Sequence, residues 1–569
     1  DSRYQDVATM SKRHPAFILK TMSRAFDDER FFWLFEIADY YNYGLEDAHQ
    51  LMTNFAVLGF VDYDMERERI EIKNKLFHFL DAKLAYRDYD ALRVVSRSNK
   101  RPYARMDLES GDLNIFGVNM VELSDSNDVS IFPFDGNLSV HQNRDFTFDG
   151  IVQTGHFGVY GKRMRFTYDS FHIELNAIDS LKYSIPSGII NKDGSEITDT
   201  VKTVISDITG FLFIDGPENK SGLADQSDFP KIHSVEHAQI YYDDIKGGVY
   251  ERDLFSFQTA PFQLDSLLII KTNDLEFPGT LNAPTIFPSF QDTMRLNQSL
   301  QLSFSHKIKD KYPAYEGRGE FTDDLYLDNK GLRGRGAIYY LNSLTVSDSV
   351  YFYPYHAIAH AKSHHIYEQS APTECPEAYV EDANINWLAF ENKMISKNRE
   401  LPYTVYREKY DFDGSMTLGT KALQAKGVLY YDNAISASDD FLLQSRDFTA
   451  NHSLFNWFDD LESGKIVRGT DLYSAVSFED DYGTFETLSD AARFELIPNK
   501  YHLYFELMEW DVSGEDLKFS QFDLDDAHLV SIGQYQDSLQ FSASGAQYDL
   551  LTYELSVDGV GEINMDPVT

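Results

Sequence analysis

Two spacings of apolar residues divide this chain. Up to about residue 95 they recur with a helical period, and from about residue 100 they alternate with a period of two. Across residues 15–41, Phe17, Ile18, Met22, Phe26, Phe32, Leu34, Phe35 and Ile37 form a broad apolar face, which predicts a helix. Residues 45–58 predict a second helix, with Gly59 able to end it in a left-handed cap. Phe60-Val61-Asp62-Tyr63 and Ile70-Glu71-Ile72 then alternate around a charged turn at 65–69, and residues 75–86 predict a further helix. Helices followed by a charged hairpin suit a winged-helix-like arrangement. The region where such a fold reads DNA is not basic overall, so the reading taken is a helical cap on a β stack.

Beyond residue 100, residues 107–118 and 129–134 predict short strands. Residues 146–181 form the clearest β segment, with a bulge expected at Asp169-Ser170, where the buried phase changes. Residues 186–235 are rich in Gly, Asp, Asn and Ser and read as an extended loop or insertion around one strand at 210–214. Strands resume over 237–304, and 309–319 reads as a linker.

The C-terminal half contains one stretch twice. Residues 321–361 and 412–452 align without a gap at an offset of 91, pairing Phe321 with Phe412, Leu327 with Leu418, Gly336 with Gly427 and Asn342 with Asn433. Tyr339-Tyr340 falls on Tyr430-Tyr431, and Ser347-Asp348 on Ser438-Asp439. A duplication of this kind predicts stacked supersecondary units, each burying its apolar face against the next. Gly331, Gly334 and Gly336, ahead of the run Ala337-Ile338-Tyr339-Tyr340, suit a bend or bulge. Residues 362–405 read as an irregular insertion between the copies and 456–475 as a small helical one. A looser echo relates residues 492–496 to 546–550. The expected fold is therefore mainly β. A helical N-terminal domain over 1–99 precedes a β domain over 100–308, with its insertion at 186–235, and a repetitive antiparallel β domain over 309–569.

Composition narrows the function classes. The 569 residues suffice for large cores, and 42 Phe and 36 Tyr favour β structure. A formal net charge of −40 opposes binding to nucleic-acid phosphates and to anionic membrane surfaces. The single cysteine, Cys375, excludes an intramolecular disulfide. No apolar run approaches the roughly 20 residues that a membrane-spanning helix needs. The chain begins at Asp1 without a Met or a signal-like segment, which suggests a processed form or a fragment.

Candidate chemistry is sparse. On a helix, His356, His360, His364 and His365 would lie about 6 Å apart per four-residue step, within reach of one zinc ion. His356 and His360, however, align with Asp447 and Asn451 in a strand-like segment. A four-residue step there spans about 13 Å, so surface or partly buried β histidines are expected and no metal ligand is assigned. The acidic clusters Asp27-Asp28-Glu29, Asp243-Asp244, Asp323-Asp324, Asp439-Asp440, Glu479-Asp480-Asp481 and Asp525-Asp526 read as solvated turns. Asp411-Phe412-Asp413-Gly414 is only half of a calcium loop. No G-x-S-x-G, phosphate-binding loop or dinucleotide fingerprint occurs, and Gly331–Gly336 reads as a structural turn. No catalytic residue or cofactor is assigned.

Several phrases together carry a resemblance. They are Lys75-Leu76-Phe77-His78 with Asp88-Tyr89-Asp90, Asn143-Arg144-Asp145-Phe146, residues 166–181 ending in Ile178-Asp179-Ser180-Leu181, Glu218-Asn219-Lys220-Ser221-Gly222, Gly247-Gly248-Val249-Tyr250, and residues 261–267. On them the chain resembles a family of long, exported, largely uncharacterised β-rich envelope proteins of Bacteroidota. The resemblance implies a periplasmic, outer-membrane or cell-surface location and a longer parent chain, and it supplies no catalytic residue. Asp265-Ser266-Leu267, Asp292-Thr293-Met294 and Asp537-Ser538-Leu539 resemble O-glycosylation triplets of that phylum, which an Asp- and Ser-rich chain also produces by chance. The function expected is a non-enzymatic structural, scaffold or assembly role in a cell envelope. Its partners would be other envelope proteins or further copies of itself. The alternatives are a glycan- or lipid-binding β module and a carboxylate-based glycan hydrolase.

Overall fold

A computed structural model describes residues 15–84, 88, 92–97, 102–190, 196–201, 203–222, 224–271, 274–459, 464–512, 515–522, 527–534, 536, 539–560 and 563–564. The chain divides into two compact units, one of Asp1–Ile240 with Thr259–Phe277, the other of Tyr241–Gln258 with Pro278–Thr569. Among the described residues it is mainly β, as the alternation predicts, and its α-helices lie within residues 15–83.

The first unit opens with α1 (Pro15–Ala25), β1 (Phe31–Trp33), α2 (Leu34–Tyr41), α3 (Leu45–Val57), β2 (Val61–Asp64), β3 (Arg69–Ile72) and α4 (Asn74–Lys83). The three strands form an antiparallel sheet in the order β1-β3-β2. This order of helices and strands is the topology of a winged helix. Ala16, Leu19, Met22, Ile37, Met52, Phe55, Ile70 and Leu80 fill its core. The continuous helix expected over 15–41 is interrupted. Asp27 and Asp28 adopt positive φ and end α1, a conformation that short polar side chains tolerate. Phe32 then pairs with Ile70, while Phe31 and Trp33 face outward. Gly59 takes the left-handed conformation expected of it, at φ +72°.

Further along this unit, strands Phe146–Thr154 and Phe157–Thr167 form an antiparallel hairpin, with the rings of Phe146 and Phe166 stacked at 4.8 Å. Asp169-Ser170 is not a bulge but the turn into the next strand, His172–Ile178, which pairs back through Phe166 and Ile173. The turn resets which residues face inward, and that reset produces the change of phase seen in the sequence. The segment 186–235 is also richer in strands than expected. Ser180–Ile190 pairs with Glu196–Thr200, and Ile208–Phe213 pairs with both His172–Ile178 and Lys231–Ser234.

In the second unit, strands Leu302–Ala314, Gly319–Asp328, Gly331–Tyr340, Ser343–Phe352, Ala357–Ile366 and Ala378–Leu388 pair in succession as an antiparallel meander. Residues 309–319 are strand and turn within it, not a linker. Residues 362–405 are part of the same sheet, not an insertion. After Ala378–Leu388 come two half-strands, Lys393–Asn398 and Tyr403–Val405, and both pair with Tyr410–Gly419. Pro372 and Pro376 lie in the connecting loop and Pro402 in the break between the half-strands, where no ladder N–H is required. Residues 456–475 are likewise β, in Asp447–Phe458 and Lys465–Ser477, with 460–463 outside the described residues. Asp471, at φ +59°, shifts the alternation there and disguises it.

A line of register shifts crosses these strands, at 308–312, 334–336, 346–349, 425–427 and 450–453. Gly336 and Gly427 sit on it at the same φ of +154°. A Cβ at Gly336 would lie 2.1 Å from the Thr322 carbonyl oxygen, and one at Gly427 2.1 Å from that of Asp413, so neither position admits a side chain. Beyond Lys465–Ser477 the sheet splits along this line. Arg493–Leu496, Tyr501–Tyr504, Ala527–Ser531 and Gln540–Ala543 pair in one series. Tyr482–Thr487, Leu507–Asp511, Asp516–Ser520 and Gly545–Asp549 pair in the other. Phe494 of one series meets Phe519 of the other at 5.4 Å, so aromatic rings fill the space between the layers.

The duplication is wider than its visible identity. Tyr315 meets Trp387 edge to face at 4.9 Å; Tyr406 and Phe478, each 91 residues on, do the same at 4.7 Å. Tyr340 lies 5.6 Å from Trp387, and Tyr431 lies 5.8 Å from Phe478. The bulge chemistry repeats as well. The Ser347 hydroxyl donates to the His360 carbonyl and accepts from the Ser349 N–H, as Ser438 does with Asn451 and Asp440.

Candidate functional sites

The four histidines that a helix would gather stand on or beside one strand, Ala357–Ile366, and go to four separate environments. His356 precedes the strand and stacks on Tyr353 at 4.9 Å, where burial pulls its imidazole below the usual range. His360 faces outward against Asp382, with Arg399 Nη1 2.7 Å from its Nε2. That histidine first, and Arg399 second, hold the Asp382 carboxyl below its ordinary pKa. His365 pairs with Glu377 at 2.8 Å. His364 points inward and is 1 % exposed. Its Nδ1 meets the Thr345 hydroxyl at 2.8 Å, and its Nε2 has no hydrogen-bond partner. Burial pushes its pKa down to about 4. Among the described residues, no group of three His, Cys, Asp or Glu side chains is placed to hold a metal ion.

A cluster that gathers a Ser, a His and an Asp was not foreseen from the sequence. Asp471 accepts from the Ser489 hydroxyl at 2.5 Å and faces His452 Nδ1 at 2.8 Å. Asp471 therefore bridges the other two, and the hydroxyl contacts the carboxylate rather than the imidazole. Nucleophilic activation needs the hydroxyl on the base, so this cluster ties strands together and does not prepare a nucleophile.

The acidic clusters resolve into similar local ties. Asp243 pairs with Arg252, Asp324 with Arg335, Asp439 with Lys426 and Glu479 with Arg446. Asp411-Phe412-Asp413-Gly414 is extended strand, with Asp413 accepting from Asn398 at 2.8 Å. Asp525-Asp526 and Asp537-Ser538 lie outside the described residues. Cys375 is buried, its thiol pushed up by that burial, and the Asn342 amide donates to its sulfur at 3.0 Å.

One concave surface is built differently. Leu34, Leu45, Glu46, His49, Gln50, Thr53, Asn54 and Glu68 line an open groove of about 710 Å³ along α3. The helix buries Ala48, Met52 and Phe55 at i, i+4 and i+7, which leaves the opposite face to the groove. Leu45 is 55 % exposed at its start, and Met65 is 51 % exposed on the turn that carries Glu68. Beneath the groove the buried Tyr63 packs edge to face on His49 at 5.4 Å, and its hydroxyl has no hydrogen-bond partner. Burial first, and the Glu68 charge second, raise that phenol's pKa. In the sequence the groove left only one trace, an apolar residue at the exposed start of a helix.

No helix among the described residues is long and apolar enough to cross a membrane. Comparison with protein families and with curated proteins finds no match to this chain.

Proposed function

We propose that this protein is a non-enzymatic scaffold or assembly component of a bacterial cell envelope, acting through contacts with other proteins. The observation that carries the reading is the 91-residue duplication, in which Tyr315, Tyr340 and Trp387 recur as Tyr406, Tyr431 and Phe478. A repeat of this kind invests its sequence in an extended, rigid surface rather than in a single cleft. The envelope location rests on the family resemblance, and the ion-paired carboxylates favour a structural part for the acidic residues over a hydrolytic one. A lipid- or glycan-binding module is the alternative. It draws less support, because the inward aromatics pack ring against ring instead of lining a trough.

The test is purification of the tagged protein from native envelopes in mild detergent, followed by mass spectrometry of what stays bound. A defined set of envelope proteins at fixed ratio is expected. Isolation alone, with bound glycan or lipid, would overturn the scaffold reading in favour of the binding module.

A further inference from the structure

We infer that the groove along α3 is a docking site for a segment of a partner protein in which apolar residues are flanked by Lys or Arg. The inference rests on the scaffold reading and names the surface through which one of its contacts is made. In a winged helix the position of α3 is the one that enters a DNA groove, where phosphates demand basic side chains. Here α3 contains no Lys or Arg and begins Leu45-Glu46-Asp47. Residues 15–83 as a whole carry eight Lys and Arg against thirteen Asp and Glu.

The surface nevertheless has the form of a binding site. Leu45, 55 % exposed, supplies the apolar contact of the groove, while Leu34 in its lining is buried. Glu46 and Glu68 bring two carboxylates to the lining, with no cation among the lining residues to neutralise them. An apolar side chain against Leu45, with Lys or Arg against Glu46 and Glu68, satisfies both features at once. A second copy of this chain fits poorly, because a protein of net charge −40 would meet acid with acid.

The test uses the full chain and two fluorescein-labelled peptides of about 14 residues. One is an amphipathic Leu/Lys sequence and the other its Leu/Glu counterpart; binding is followed by fluorescence anisotropy at about 0.15 M salt, where distant surface charge is screened. The Leu/Lys peptide is expected to bind and the Leu/Glu peptide to fail. Glu46→Lys with Glu68→Lys should weaken binding roughly tenfold or more, and Leu45→Ser should weaken it while leaving the charge in place. A control, Asp439→Lys with Glu479→Lys on the β stack, should change binding less than about twofold.

Both Glu positions are exposed, and unchanged far-ultraviolet circular dichroism and melting establish that the variants fold. Equal loss in the control and groove variants would overturn the inference in favour of diffuse attraction. Tighter binding of duplex DNA than of the Leu/Lys peptide, or concentration-dependent self-association abolished by the groove variants, would also overturn it. If envelope partners co-purify equally with the wild type and the groove variants, the docking site is wrong and the scaffold reading stands. If no partner co-purifies with the wild type, the scaffold reading fails irrespective of the groove.

Discussion

His364 offers the sharpest quantitative test of the packing in the first repeat copy. Its imidazole is buried, with one nitrogen satisfied by Thr345 and the other unpartnered, so it must stay neutral in the fold. Its pKa falls from 6.5 to about 4. Above pH 6.5 the group is neutral in both folded and unfolded chains, and the full stability is present. As the pH drops below 6.5 the unfolded chain takes up the proton and the folded one does not. Stability is therefore lost between pH 6.5 and about 4. At 1.36 kcal/mol per unit, the loss is about 2 kcal/mol by pH 5 and about 3 kcal/mol by pH 4.

The perturbation is His364→Phe, which installs the residue that the second copy carries at the equivalent position, Phe455. It removes the titrating group and leaves the Thr345 hydroxyl only its weak 3.8 Å contact with Met394 Sδ, at a cost of about 1 kcal/mol at every pH. Urea unfolding of both proteins at pH 7.5 and pH 5.0, followed by tryptophan fluorescence, measures the difference. Wild type should lose about 2 kcal/mol more than the variant over that interval. Carboxylates such as Asp324 and Asp471, which are held below their usual range, also lose stability on acidification, but equally in both proteins. Identical pH dependence in the two proteins would refute the placement of His364 as a buried, neutral group.

Three further outcomes are expected. Gly427→Ala, which forces a Cβ to within 2.1 Å of the Asp413 carbonyl, should destabilise the second unit by about 2–4 kcal/mol in urea, with Gly336→Ala behaving alike; a change under about 0.5 kcal/mol would contradict the shared bend. Asp81→Ala strands the buried Lys20 ammonium of α1 and should cost about 3–5 kcal/mol by thermal unfolding, most of it recovered in the double variant with Lys20→Met. Cys375 should resist a thiol-specific disulfide reagent in the native protein and react within seconds in urea; rapid native reaction would contradict its burial.

The alternation of apolar residues was a sound guide to strands but a poor guide to breaks in them. It marked residues 146–181 as β and placed Gly336 at a bend, which its alignment with Gly427 carries into the second copy. It misread 362–405 and 456–475, because prolines in one and the backbone shift at Asp471 in the other disrupt the period locally while leaving the ladder intact. Four-residue spacing would group His356, His360 and His364 only on a helix, and the alignment of His356 and His360 with Asp447 and Asn451 in a strand-like segment argued against it. On a strand, the local shift between Ala361 and Ser363 sends His360 to solvent and His364 to the core.

What the sequence determined by itself is therefore local and periodic: most of the helical and extended segments, that one unit occurs twice at an interval of 91 residues, and that Gly336 stands at a bend. The tertiary structure decided the rest. It made Trp387 and Phe478 equivalent, since equivalence there is contact with a tyrosine ring rather than identity of side chain. It folded one sheet into two layers along a line of bulges contributed by strands far apart in the chain. It also left Leu45, Glu46 and Glu68 facing one groove, because the turn after β2 returns beside the start of α3. Backbone pairing in a sheet joins segments that carry no mutual signature in sequence. Period-two alternation specifies which face a residue takes but not which strand lies beside it.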